Sequence, residues 1–131
     1  LRVGYLIAKP EIAKKIRKNL VAMSNVLAIE AAKEALQDDA FYQFSLTKNK
    51  EAKAQIYKLL DHLNLDYVKS HTNFIFFHSK KDIRELGPAM LTKGVRIGRP
   101  FPPFYDWCRI STGTAEEVAL FTKGMLEVYN A

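Results

Sequence analysis

Arg2 and Arg109 are the two residues whose type and setting together point to recognition chemistry. Arg2 stands at the mouth of an apolar run, Val3 to Ala8, and Arg109 lies inside another, between Cys108 and Ile110. A guanidinium within a strand requires a counter-charge, and its planar fork matches a carboxylate or a phosphate. An internal ion pair or an exposed strand face meets the same requirement, so pattern alone leaves both readings open. Standard catalytic signatures are missing: there is no G-x-x-x-x-G-K-[ST], G-x-S-x-G, H-E-x-x-H or G-x-G-x-x-G. His62, His71 and His78 lack metal-ligand spacing with carboxylates or thiols, and read as ordinary surface or hydrogen-bonded histidines. Cys108 has no histidine beside it in sequence and reads as a buried strand residue rather than a nucleophile.

The elements that must position these residues follow from periodicity. Residues 3 to 8, apolar almost throughout, suit a buried strand. Pro10 opens a helix with Ile12, Ile16 and Leu20 on one face and Lys14, Lys15, Arg17 and Lys18 on the other. Ser24 and Asn25 interrupt it. From Val26, a second helical pattern runs through Ile29, Ala32 and Leu36, and resumes from Lys50 through Ala54, Tyr57, Leu60 and Leu63. Asp39 to Lys48 either breaks or continues it, so residues 26 to 63 form a nearly unbroken helical arm. After Asn64 the pattern turns to β. Thr72 to His78 reads as a central strand covered on both faces, Asp82 to Lys93 as a helix stopped by Gly94, and Val95–Ile97 and Trp107–Ser111 as two short strands. Pro100 to Phe104 between them must be a loop. Thr114 and Glu117 have capping-box spacing before a final helix with Val118, Phe121, Met125 and Val128 inward. The second half therefore closes as an α+β lobe of helices on a small sheet. The first strand and helix have no evident sheet of their own to join.

Composition bounds the class. The chain has 131 residues, 48% of them hydrophobic, and a net charge of +6. That length suits one compact domain, and the apolar content excludes a disordered tail. The single cysteine allows no intrachain disulfide or zinc cluster and suggests a reducing, cytoplasmic setting. No window approaches a membrane-spanning length of apolar residues, and the N-terminus lacks a secretory pattern. Most of the positive excess lies before Asn19. A free-standing basic α+β module using the Lys14 to Lys18 face for nucleic acid is the rival class, although no aromatic residue interleaves there for base stacking.

Five short segments in order carry a resemblance. Leu1-Arg2-Val3-Gly4-Tyr5 resembles the segment following the cofactor lysine in class I/II aminotransferases, the fold type I pyridoxal-phosphate enzymes. Trp107 to Glu117 resembles their R-I-[TS]-x-G-T-x-E-E segment, most closely as found in histidinol-phosphate aminotransferases. Asn25-Val26 before an alanine-rich helix, Asn73-Phe74 on a strand and Gly94-Val95 before the next strand fall in the family's order. The resemblance covers this whole chain and the last third or so of a family member.

It implies residues 1–25 as the end of a large cofactor-binding domain, 26–64 as a long interdomain helix region, and 65–131 as a small C-terminal α+β domain. On the same resemblance, Arg2 binds the phosphate of pyridoxal 5'-phosphate. Arg109 grips the carboxylate, or its counterpart, on the amino donor or acceptor, and Asn25 lies near a homodimer interface beside an active site or is a plain helix cap. The implied reaction moves an amino group between an amino acid or histidinol phosphate and a 2-oxo acid. No catalytic residue falls within the chain. The cofactor lysine is expected upstream of Arg2, whereas Lys9 and Lys14 follow it, so this stretch alone is expected to be inactive. Arg96-Ile97-Gly98-Arg99 departs from the Val-Arg ending of histidinol-phosphate enzymes. Arg96 or Arg99 either meets a second acidic group or faces solvent, the latter being the simpler expectation.

Overall fold

The computed structural model describes residues 2–130. Its elements run α1 (Pro10–Lys18), α2 (Val26–Ala35), α3 (Asp39–His62), β1 (Tyr67–Val68), β2 (Phe74–His78), α4 (Ile83–Leu91), β3 (Trp107–Ser111) and α5 (Ala115–Tyr129). They fall into two compact units, Leu1–Phe44 and Ser45–Ala131, the division lying within α3.

In the first unit, α1 begins with proline at its first position, where the missing N–H costs nothing and φ is already helical. None of its residues is buried. The buried strand expected over residues 3–8 does not form. Tyr5 and Ile7 are 83% and 89% exposed, and no backbone group from Arg2 to Ala8 is hydrogen-bonded among the described residues. Apolar character makes a segment eligible for a sheet, but ladder partners make it a strand. The nearly unbroken arm is corrected too. α2 ends at Ala35, and Asp38 starts α3 afresh, its Oδ1 accepting the Phe41 N–H at 2.9 Å and its carbonyl the Tyr42 N–H. Asp39 to Lys48 is thus helical, and the interruption sits at residues 36–38, where an Asp side chain competes successfully for free helix amides.

The second unit carries the core. α3 buries Ala52, Ile56, Leu59 and Leu60, spaced to one helical face. The sheet is antiparallel with strand order β1-β2-β3. β2 is central as expected, but its two faces differ. Ile75 and Phe77 are fully buried, together with Cys108 of β3, whereas Phe74, Phe76 and His78 are half-buried. Against the buried face pack Leu86 and Met90 of α4 and Val118, Phe121 and Met125 of α5. Each such side chain, fully removed from water, contributes about 1.5–3 kcal/mol.

α4 is capped by Asp82, which accepts the Arg84 N–H, and gives way to Gly94 at φ +77°. The strand expected over Val95–Ile97 is an extended segment instead. It meets β3 through one bond, Gly98 N–H to the Arg109 carbonyl at 2.9 Å, and Pro100, two residues on, has no N–H to extend a ladder. Gly98 approaches so closely that a Cβ there would lie 2.4 Å from that carbonyl oxygen. The capping box at Thr114 forms with both of its hydrogen bonds.

Candidate functional site

β3 alternates strictly. Cys108 and Ile110 face the core, so Trp107 and Arg109 must face the other way, and both are half-buried there. Register places Arg109 opposite Phe76 and Trp107 opposite His78. The outer face of the sheet is consequently aromatic. Phe76 stacks on Trp107 with centroids 5.0 Å apart, and His78 meets the Trp107 edge at 5.5 Å while its Nε2 bonds Asp106 Oδ2 at 2.8 Å.

Arg109 is held in this face by rings rather than by an acid. Its guanidinium carbon lies 4.8 Å from the Phe101 centroid and 5.3 Å from that of Phe74. Among the described residues it forms no salt bridge and no side-chain hydrogen bond, so neither the internal ion pair nor full exposure describes it. Its five donors are free to meet a ligand carboxylate or phosphate in a bidentate manner. Arg99 lies against the same Phe101 ring at 4.6 Å. That pairing is what sequence reasoning missed. The proline-rich loop was identified, but nothing local indicates that it closes through a Phe101–Phe104 bridge to bring Phe101 onto β3. Arg96 is exposed and, with Arg109, lines a cavity of about 540 Å³ between the 94–98 segment, the end of β3 and the start of α5.

The residues after Arg109 fix the end of β3. Thr112 donates its hydroxyl to the Asn73 carbonyl at 2.9 Å or Asn49 Oδ1 at 3.0 Å, tying β3 to the start of β2 and to α3. Gly113 admits the Glu117 carboxylate so closely that a Cβ would meet Oε2 at 2.4 Å. Glu117 Oε2 then accepts the Thr114 N–H at 2.8 Å, and Thr114 Oγ1 accepts the Glu117 N–H. Each letter of the Arg-Ile-Ser-Thr-Gly-Thr-Ala-Glu-Glu segment except Ser111 and the two Ala-Glu positions thereby has a job in positioning Arg109 or capping α5. Burial pushes the Cys108 thiol up to about 12, consistent with a packing residue and not a nucleophile. The histidines form no metal cluster among the described residues.

Arg2 and Asn25 belong to the first unit. Arg2 is exposed and makes no salt bridge among the described residues. Asn25 caps α2, its side-chain oxygen accepting the Ala28 N–H at 3.1 Å.

Comparison with known proteins bears on this arrangement. Histidinol-phosphate aminotransferases from Moorella thermoacetica and Bacillus licheniformis are 36% and 40% identical to it, over 98% and 96% of this chain and 34% and 36% of their own. A solved structure from Erwinia carotovora atroseptica, assigned as a histidinol-phosphate aminotransferase, superposes with a TM-score of 0.86 at 30% identity, covering 95% of this chain and 36% of its own. The histidinol-phosphate aminotransferase of Clostridium acetobutylicum, at 21% identity, shares the fold with a TM-score of 0.79. The chain spans about a third of the length of the curated relatives it matches. The family described as aminotransferase class I and II matches residues 1–123, nearly the whole sequence, and takes in the Arg109 strand and the capped start of α5. The chain belongs to that family, with the α+β fold its second half was expected to have.

Proposed function

We propose that this chain is the small-domain portion of a pyridoxal-phosphate-dependent aminotransferase that moves an amino group between an amino acid or histidinol phosphate and a 2-oxo acid. The observation carrying this reading is Arg109, a half-buried guanidinium on a regular strand whose fork meets no acid among the described residues. In this reading residues 1–25 end the large domain, 26–64 form the interdomain region and 65–131 the small domain. The protein works as a cytoplasmic homodimer, with Asn25 near its interface.

Pyridoxal phosphate, when bound, supplies an electron sink that stabilises negative charge on the substrate carbon. The donor set here suits that group at one point. Arg2 is exposed with its five N–H groups uncommitted to any acid among the described residues, which is the chemistry a phosphate dianion requires. Arg109 binds and orients the substrate carboxylate or its counterpart. Two parallel hydrogen bonds to a planar fork fix the ligand's direction as well as its charge, and orientation of this kind supplies a large part of catalysis in two-substrate reactions.

The experiment is a chimera in which this chain replaces the segment it matches in the Moorella thermoacetica relative. The chimera should transaminate with 2-oxoglutarate as acceptor, and Arg109→Met should lower kcat/KM by roughly a hundredfold, the loss of about 2.7 kcal/mol expected for a bidentate charged contact. A folded, cofactor-loaded chimera whose kcat/KM is indifferent to Arg109→Met would refute the assignment.

A further inference from the structure

The helical layer of the second unit carries an open trough on the side of the sheet away from Arg109. Cys108 and Ile110 direct one face of β3 into the core shared with α3 and α5, and Arg109 projects from the other. Above that core, α3 from Gln55 to His62 and α5 from Ala119 to Glu127 line a cavity of about 620 Å³. Gln55 to His62 spans about 12 Å of helix, which sets the length of the trough.

The floor is apolar. Leu59 is buried at its base, Leu126 is half-buried, and Ala119 is exposed but too short to close the gap. The Thr122 hydroxyl donates to the Val118 carbonyl at 2.8 Å, so it makes no polar demand on a ligand. The rim is basic. Lys58 and Lys123 line it, their alkyl stems extending the apolar wall, and among the described residues neither forms a salt bridge or a side-chain hydrogen bond. Glu127, the one acid lining the trough, is bonded to Lys93 at 2.8 Å.

Two unneutralised cations beside an apolar floor are complementary to an apolar body with an anionic end. Glu127 keeps its own charge on the same rim and repels a second negative charge, which favours a monoanionic head over a dianionic one. A protein partner is the poorer match. A stable protein interface engages roughly 20–30 residues a side, far more than two turns of each helix, whereas this volume falls within the roughly 300–1,000 Å³ of small-molecule clefts.

We propose that the trough binds an amphiphilic monocarboxylate with an unbranched alkyl body, the chain lying between α3 and α5 and the carboxylate held by Lys58 and Lys123. The site is separate from Arg109, and its failure would leave the reading of Arg109 intact.

The test titrates the full chain with butyrate, hexanoate and octanoate below micelle-forming concentrations, followed through the backbone amide resonances and the indole of Trp107, the single tryptophan. Affinity should rise about two- to fourfold per methylene. Octanoate should saturate one site, with shifts confined to Gln55–His62 and Ala119–Glu127 and the indole unmoved. Octanol and octylammonium, with the same chain and a neutral or cationic head, should bind at least about tenfold more weakly. Lys58→Gln combined with Lys123→Gln should bring octanoate down to the level of octanol and leave octanol unchanged. Both lysines are exposed, so the fold survives their replacement. Ala119→Leu, which fills the trough, should weaken octanoate and octanol alike, and Arg109→Gln should change neither. Octanol binding as tightly as octanoate, or octanoate indifferent to the two lysine replacements, would overturn the recognition of a carboxylate. Shifts centred on Trp107 or on the first unit, an affinity lost in Arg109→Gln, indifference to Ala119→Leu, or binding to anionic phospholipid vesicles without saturable octanoate binding would overturn the site itself.

Discussion

Arg109 and Arg84 are the same side chain in the same kind of aromatic contact, and their partners separate them. Arg84 completes an ion pair at a helix start, an exposed arrangement that contributes little to stability. Arg109 keeps its fork unfilled against rings, contacts worth roughly 0.5–1 kcal/mol each and incapable of neutralising it. At the same scale stands Cys108, adjacent to Arg109 yet pointing into the core. Its thiol, raised to about 12 by burial, should not react with a thiol-directed disulfide reagent at pH 8 in the folded chain, and should react fully once urea unfolds it. Rapid labelling under native conditions would contradict the packing described. Both residues were legible in the sequence, because charge inside an apolar run and cysteine inside a strand are anomalous locally. The contact of Arg99 with Phe101 was not, because Phe101 reaches β3 through loop closure and not through any periodicity.

Elements were legible wherever a local hydrogen-bonding or conformational signal marked their ends. Trp107–Ser111 emerges with the residues expected, and the Thr114–Glu117 capping box forms as spaced, because both depend on side chains within a few positions. Segments that depend on distant partners were not legible: residues 3–8 and 95–97 have strand composition but lack a ladder among the described residues. The Asp38 break was equally hidden, since an aspartate within a helical pattern is ambiguous until its carboxylate is seen to cap. One tertiary tie spans elements without any sequence signature. The Tyr129 hydroxyl of α5 donates to the Ser79 carbonyl at 2.5 Å, closing the turn after β2, where Ser79 is fully buried. Ser79 Oγ is itself occupied, directed to the Lys81 and Asp106 carbonyls. Removing that hydroxyl leaves the Ser79 carbonyl with one partner fewer in a dry turn. Tyr129→Phe should therefore destabilise the chain by about 1–3 kcal/mol, read as a lower urea midpoint at unchanged slope. An unchanged midpoint would show that the bond does not hold the turn.

On the scale of the whole molecule, burial is unevenly distributed. Every residue of the continuous hydrophobic core lies between Ala52 and Met125, whereas among the described residues of the first unit only Ala28 is buried. Tyr5, Ile7, Val21 and Met23 are almost fully in water, far more apolar exposure than the second unit carries. The sequence indicated this division only indirectly, through a strand without a sheet. Local opening follows the density of apolar burial. For a protease the two units are therefore different materials: the backbone before Ser45 is cut as an accessible polymer, and the backbone after it only when the core opens. Brief trypsin treatment should remove the first unit stepwise and leave a resistant product that retains Trp107 and its folded emission. Cleavage spread evenly along the chain would mean that the core does not hold the second unit closed. Seen this way, the buried face of β2 determines which part of the polypeptide persists, while the outer face of the same strand, built from alternate residues, lies beside Arg109 of β3.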